Sequence, residues 1–163
     1  VNISPRDFYY MDIYKVFTQL VQKHGFEAKN LHLEITETAV MSDTKKVIRL
    51  VNKLRQYGFK VEMDDFGSGY SSLNMLKDIK MDTIKLDMGF LRKTRNNERS
   101  MSIVSNVIHL SKRLGMEVVT EGVETREQVD ALTMMGCDVF QGYYFAKPMS
   151  VWGYEDKYIS TEG

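Results

Sequence analysis

Residues 31–65 read LHLEITETAVMSDTKKVIRLVNKLRQYGFKVEMDD, and this stretch decides the fold. Leu31–Ile35 alternates apolar and polar positions as a half-buried strand does. Val47, Leu50, Val51 and Leu54 then recur at helical spacing, with Ser42 or Asp43 placed to cap the helix and Gly58 to end it. Lys60–Met63 is strand-like again. A strand, a helix and a strand joined by short connections make a parallel βαβ unit.

The unit repeats on both sides. Ile13, Val16, Phe17, Leu20, Val21 and His24 share one predicted buried face, stopped by Gly25. A short helix is expected after Ser71–Ser72, reaching Lys77, and a longer one over Arg99–Leu114 with Ile103, Val107 and Leu114 inward. Thr125-Arg-Glu-Gln128 reads as a capping box opening a helix that buries Val129 and Leu132 and ends before Gly136. Further strands are expected at Val1–Ile3, Thr83–Leu86, Glu117–Thr120 and Val139–Gln141. Units recur every ~22–34 residues, the length of a strand–helix repeat. No Gly-x-Gly-x-x-Gly turn supports a doubly wound dinucleotide fold. The expectation is an α/β chain forming a TIM-type (β/α) barrel. About six units are present, fewer than the eight of a full barrel of ~250 residues, so the barrel is expected to be incomplete at its N-terminus.

The 163 residues carry 22 Lys+Arg and 22 Asp+Glu, a formal net charge of zero. That balance argues against a DNA or RNA polymer as partner, because such binding needs many cations to neutralise phosphates. It leaves room for a small phosphate ester whose charge bound metals would offset. The single cysteine, Cys137, has no partner within the chain and reads as an inert buried thiol. No run approaches the roughly 18 apolar residues of a membrane span, and no signal peptide is recognisable. No membrane contact is therefore expected from this chain. A cytoplasmic setting is the default, with a longer parent protein free to carry a membrane anchor. Val1 falls inside an expected strand, so the chain reads as a piece of something longer.

Polar residues recur where each strand ends. Asn2 lies in the first strand, Glu34 near the end of the second, Asp64 and Asp65 end the third, Lys85 and Asp87 the fourth, Glu121 the fifth and Gln141 the sixth. In a barrel these ends converge on the face that carries the active site. Any one of these groups alone reads as a solvated loop acid or a cap. Together they crowd carboxylates whose repulsion a divalent cation relieves, and oxygen donors suit Mg²⁺ or Mn²⁺.

Asp64 and Asp65 point to opposite faces of a regular strand, so both reach one site only if the chain turns there. The Phe66-Gly-Ser-Gly69 that follows permits a turn. One carboxylate is then able to bridge two ions while the other holds the second, the arrangement that clamps a phosphoryl centre. Lys85 and Asp87, two apart, share a face. Glu121 is a candidate ligand or general base, with Glu124 supporting it or capping the next helix. His24 and His109 sit on helices, and His32 is placed to line the barrel interior.

Val1-Asn-Ile-Ser4, Leu33-Glu-Ile-Thr-Glu37, Asp64-Asp-Phe-Gly-Ser-Gly-Tyr-Ser-Ser-Leu73, Ile84-Lys-Leu-Asp87, Glu121-Gly-Val-Glu-Thr125 and Gln141-Gly-Tyr143 with Lys147-Pro148 follow in order. In these motifs the chain closely resembles the EAL-domain cyclic-di-GMP phosphodiesterases, from Val1 to about Met149. The resemblance implies residues 1–149 as the C-terminal two-thirds of such a domain and 150–163 as a tail. It implies a TIM-type barrel opening cyclic-di-GMP to linear pGpG with two Mg²⁺ or Mn²⁺ ions. By position, Asn2, Glu34 and Asp64 would hold one ion, and Asp64, Asp65 and Glu121 the other. Lys85 would contact the attacking water and Glu121 would act as base. Gln141 and Asp87 would order the metal and substrate site. Glu37 would anchor the Phe66–Leu73 loop, which in the family couples the site to a homodimer interface.

Two departures stand out. Ser68 occupies a position where threonine is common, and its hydroxyl keeps most of that role. The Glu-Ala/Val-Leu motif that names the family, with its glutamate ligand and neighbouring arginine, does not occur in the chain. Upstream domains or a partner chain are expected to supply it, since without it Val1–Ser4 presents an unpaired strand edge. The alternative expectation is a non-catalytic module that binds cyclic-di-GMP or dimerises through the Phe66–Leu73 loop.

Overall fold

The computed structural model describes residues 1–67, 73–87 and 97–159. Strands β1 (Asn2–Ile3), β2 (His32–Thr36), β3 (Lys60–Phe66), β4 (Thr83–Asp87), β5 (Glu117–Glu121) and β6 (Val139–Gln141) form one parallel sheet. Their spatial order is their chain order. That continuous progression is the wall of a barrel, whereas a doubly wound sheet reverses direction at a switch point. β1 and β6 are the two ends of the sheet.

Helices cover the outer face of the wall. They are α1 (Asp7–Tyr10), α2 (Ile13–His24), α3 (Glu37–Ser42), α4 (Thr44–Tyr57), α5 (Leu73–Asp78), α6 (Asn97–Arg113) and α7 (Arg126–Met134). α4 shows how the local sequence sets the element. The Asp43 side chain accepts from the Lys46 amide at its start, and Gly58 at φ 114 takes the left-handed conformation that closes it. Of the two cap candidates, Asp43 does the capping. α7 opens with the capping box expected of Thr125 and Gln128. The tail forms α8 (Val151–Tyr154) and a π-helical turn over Glu155–Ile159, with Trp152 exposed.

The core lies between wall and helices. Leu33, Ile35, Val61, Met63 and Ile84 from the strands meet Val47, Val51, Leu54, Ile108 and Leu132 from the helices, all essentially sealed from water. Each such side chain contributes about 1.5–3 kcal/mol through burial. Cys137 is buried, as expected, against Thr120 Oγ1 at 3.0 Å.

Two buried faces differ from expectation. On α6 the inward residues are Ser100, Val104, Ile108 and Ser111, while Ile103 and Leu114 are exposed. The buried face is thus one position round the helix from the expected one, with small Ser100 and Ser111 at its two ends. On α2, Leu20 and His24 face solvent and Thr18 is buried. Its hydroxyl donates to the Tyr14 and Lys15 carbonyls at 2.8 and 3.0 Å, so its polarity is satisfied within the helix. α1 and α3, one turn each or little more, carry too short a pattern to be predicted. No helix among the described residues is long and apolar enough to cross a membrane.

Candidate active site at the strand ends

Because side chains alternate along a strand, burying Leu33 and Ile35 beneath the helices turns His32, Glu34 and Thr36 to the opposite face. Register carries that choice from strand to strand. Asn2 pairs with Glu34, Thr36 with Asp64, Asp87 with Glu121, and Glu121 with Gln141. Four strands thus deliver Glu34, Asp64, Lys85 and Glu121 to one place.

Lys85 is the hub. Its ammonium donates to Glu34 Oε2 at 2.6 Å and stands 2.9 Å from Glu121 Oε1 and 3.2 Å from Asp64 Oδ1, with 9% of the side chain exposed. Burial works against the charged ammonium. The hydrogen bonds to Glu34 and Glu121 and the charges of Glu121 and Asp64 outweigh it, holding Lys85 above the ordinary lysine value.

The turn that Asp64 and Asp65 need lies in the pair itself. Met63 aligns with Ile84 and Phe66 with Leu86, so β3 carries one more residue than β4 over that interval. This bulge frees the chain from strict alternation. Asp65 takes it up at φ 55, left-handed and uncommon for a residue with a side chain. A residue held this way costs about 1–3 kcal/mol and marks a place where geometry serves the site. The result is that carboxylate oxygens of Asp64, Asp65 and Glu121 lie within 4.8 Å of one another.

Crowding and burial raise proton affinity here. Glu121 is pushed up from the usual carboxylate value first by burial, then by the charges of Asp64 and Glu34, with Lys85 opposing. Asp65 is pushed up by burial and by the neighbouring Asp64 and Asp87 charges, with Lys85 again opposing. Three close carboxylates, two of them unfavourably charged, are an all-oxygen donor set of the kind a hard divalent cation takes. The residues present fit such an ion.

Other expected residues lie around this cluster. Asn2 and Gln141 are exposed, each in register beside a cluster carboxylate. Glu37 is 2% exposed and accepts the Gly67 amide at 3.2 Å, tying α3 to the chain just after the bulge. The rest of the Phe66–Leu73 loop through residue 72, including Ser68, lies outside the described residues. The helix cap next to Glu124 is Thr125, and the Glu124 amide donates to Gln128 Oε1 at 2.7 Å. His24 and His109 have partners outside the cluster: His24 stacks on Phe26, and His109 Nδ1 hydrogen-bonds the Ser105 carbonyl at 2.7 Å.

One buried charge on the same face of the sheet escapes the sequence reading. Glu62, 8% exposed, meets His32 Nδ1 at 2.5 Å on the same face. Its position two residues before Asp64 was the available signal, since alternation places both on one side.

With this geometry in hand, comparison with known proteins is decisive. A family model described as EAL domain matches residues 1–148. This chain belongs to the EAL domain family. Among curated relatives, the cyclic di-GMP phosphodiesterase RocR of Pseudomonas aeruginosa is 36% identical over 148 residues, covering 91% of this chain and 38% of RocR. The cyclic di-GMP phosphodiesterase PdeR of Escherichia coli is 34% identical over 158 residues, covering 97% of this chain and 24% of PdeR. The EAL chain therefore spans well under half the length of these relatives.

Solved structures agree on the architecture. The MucR phosphodiesterase in complex with c-di-GMP superimposes with a TM-score of 0.86 at 33% identity, over 94% of this chain and 62% of that one. BlrP1 of Klebsiella pneumoniae, solved with manganese and cyclic di-GMP, gives 0.83 at 32% identity over 91% of this chain and 38% of that one. The same protein was also solved with calcium. The EAL chain has the six parallel strands alternating with helices of the incomplete TIM-type barrel that its sequence predicts.

Proposed function

We propose that this EAL chain, over residues 1–149, supplies most of the active site of a metal-dependent phosphodiesterase that hydrolyses cyclic-di-GMP to linear pGpG. The observation that carries the proposal is the grouping of Asp64, Asp65 and Glu121 within 4.8 Å around a bulge, beside a buried lysine. It is supported by family membership and by the likeness to MucR and BlrP1, whose structures hold the dinucleotide.

Asn2, Glu34 and Asp64 would hold one Mg²⁺ or Mn²⁺, and Asp64, Asp65 and Glu121 a second. When bound, such ions polarise the scissile phosphate and lower the pKa of water to make hydroxide accessible near neutrality. The chain's own groups do the rest. Glu121 accepts a proton from the attacking water as the water oxygen bonds to phosphorus and the phosphorus–ribose O3′ bond breaks, the departing O3′ taking up a proton from solvent. Lys85, charged at neutral pH, orients that water and offsets negative charge as it develops on the phosphoryl oxygens. Gln141 and Asp87 order the rim around Glu121. Glu37 secures the Gly67 end of the loop that leads toward a homodimer contact.

The test is chromatography of cyclic-di-GMP incubated with the chain and Mn²⁺. The proposal expects pGpG from the unmodified chain and none from Asp64→Ala. No conversion, with cyclic-di-GMP retained in calorimetry in the presence of Ca²⁺, would replace hydrolysis with a binding role. Neither conversion nor binding would remove the dinucleotide reading altogether.

A further inference from the structure

Glu121 is the last residue of β5, and the loop that leaves it meets an unusual constraint. The Val123 amide donates to the Gln141 carbonyl at 3.1 Å, and the Tyr144 amide returns to the Val123 carbonyl at 3.1 Å. Val123 is thus gripped on both backbone groups, by the last residue of β6 and by the turn that follows it. Gly142 sits in the jaw. A Cβ placed there would overlap the Val123 nitrogen, carbonyl oxygen and carbonyl carbon, the last at 2.7 Å. All three are backbone atoms, which have no rotamer by which to withdraw. The Val123 side chain is itself fully buried, so the loop has little freedom to slide outward.

We infer that Gly142 is a positioning residue for Glu121: the close approach of its Cα to Val123 sets how far the strand end and its carboxylate reach into the acid cluster. This deepens the proposed function and rests on it where metal is concerned. The chain of contact is short. Gly142 fixes Val123, Val123 lies two residues beyond Glu121, and Glu121 Oε1 stands 2.9 Å from the Lys85 ammonium. Any side chain at 142 must push Val123 away, and an ångström of movement at Glu121 separates it from Lys85 and from Asp64 and Asp65.

The test compares Gly142→Ala with Gly115→Ala. Gly115 precedes β5, stands at φ 78 and has open space around it, so its substitution costs stability without displacing anything. Two readings are taken on each variant: the ¹⁵N signal of the Lys85 ammonium without metal, and Mn²⁺ affinity by calorimetry. Gly142→Ala is expected to shift the ammonium signal, through loss of Glu121, and to weaken Mn²⁺ binding at least tenfold. Gly115→Ala is expected to leave both as they were. A shifted ammonium signal in a protein whose unmodified form binds no Mn²⁺ would keep the positioning role and overturn the metal reading. An unshifted signal in folded Gly142→Ala would overturn the positioning role. Should Gly142→Ala fail to fold, hydrogen exchange of the unmodified chain decides. The Val123 and Tyr144 amides exchanging as slowly as those of Val118 and Thr120 supports the clasp, and exchange at the rate of exposed turns overturns it.

Discussion

Lys85 on β4 reaches past β3 to place its ammonium 2.6 Å from the Glu34 carboxylate on β2. A cation on β4 that pairs with carboxylates of β2, β3 and β5 offsets part of the site's negative charge before any ion enters. It also makes the strand ends into one electrostatic unit.

Removing that cation should separate folding, binding and turnover. Lys85→Met leaves Glu34, Asp64 and Glu121 without their shared donor, at an expected cost of about 1–3 kcal/mol in urea unfolding. Mn²⁺ should bind the variant at least as tightly, because an opposing charge is gone. Hydrolysis, in a form of the protein that shows it, should fall on the order of a hundredfold. A variant with unchanged turnover would make Lys85 only an ion-pair partner.

Asp65 holds its carboxylate in place through a left-handed backbone, so its two small replacements should differ. Asp65→Gly relieves the strain and Asp65→Ala keeps it. Gly should therefore be the more stable of the two by about 1–2 kcal/mol, the reverse of their order in an ordinary strand. Both should lose Mn²⁺ affinity. Equal stability by chemical denaturation would mean that the bulge relaxes when the carboxylate is gone.

The raised proton affinity of Glu121 predicts a pH dependence with a definite sign. A carboxyl group easier to protonate in the folded chain contributes stability below its ordinary value of 4.5 and loses that contribution as pH rises through the raised folded value. Metal-free protein should thus lose stability on the way from 4.5 toward neutrality, and Glu121→Gln should flatten that slope. Mn²⁺ affinity should move the other way, rising with pH as protons leave the ligands. Urea unfolding and calorimetry over the same buffers would check both.

The opposite end of the sheet should answer to stability alone. Asp82 accepts from Arg55 Nε and its second guanidinium nitrogen, both at 3.0 Å, and from the Val61 amide at 2.9 Å. Burial would raise its pKa, but Arg55, the Val61 amide and Lys60 prevail and hold it below the usual value. Its contribution is present above 3.8 and is lost as pH falls through the lowered value. Asp82→Ala should cost about 1–3 kcal/mol at neutral pH while Mn²⁺ affinity stays unchanged. A change in metal affinity would couple the two ends of the barrel.

Much of this was written in local pattern. Strand and helix alternation from Leu31 to Asp65 needs only the period of apolar residues and the caps at Asp43 and Gly58, because each acts within a few residues of itself. Polar residues at successive strand ends were legible for the same reason. Parallel strands of similar length end on one side, so Glu34, Asp64, Lys85 and Glu121 had to share a rim.

Tertiary structure decided what depends on distance and on which face wins. Whether Ile103 or Val104 is buried depends on which face of α6 docks, and the helical period is the same either way. That Asp64 and Asp65 both face the site required a bulge against β4 and a left-handed Asp65, which is a mismatch between two strands and is written in neither. The jaw of Gly142 on Val123 joins segments almost twenty residues apart through backbone atoms alone. Side-chain chemistry is printed in a sequence, and backbone proximity between separate segments is not.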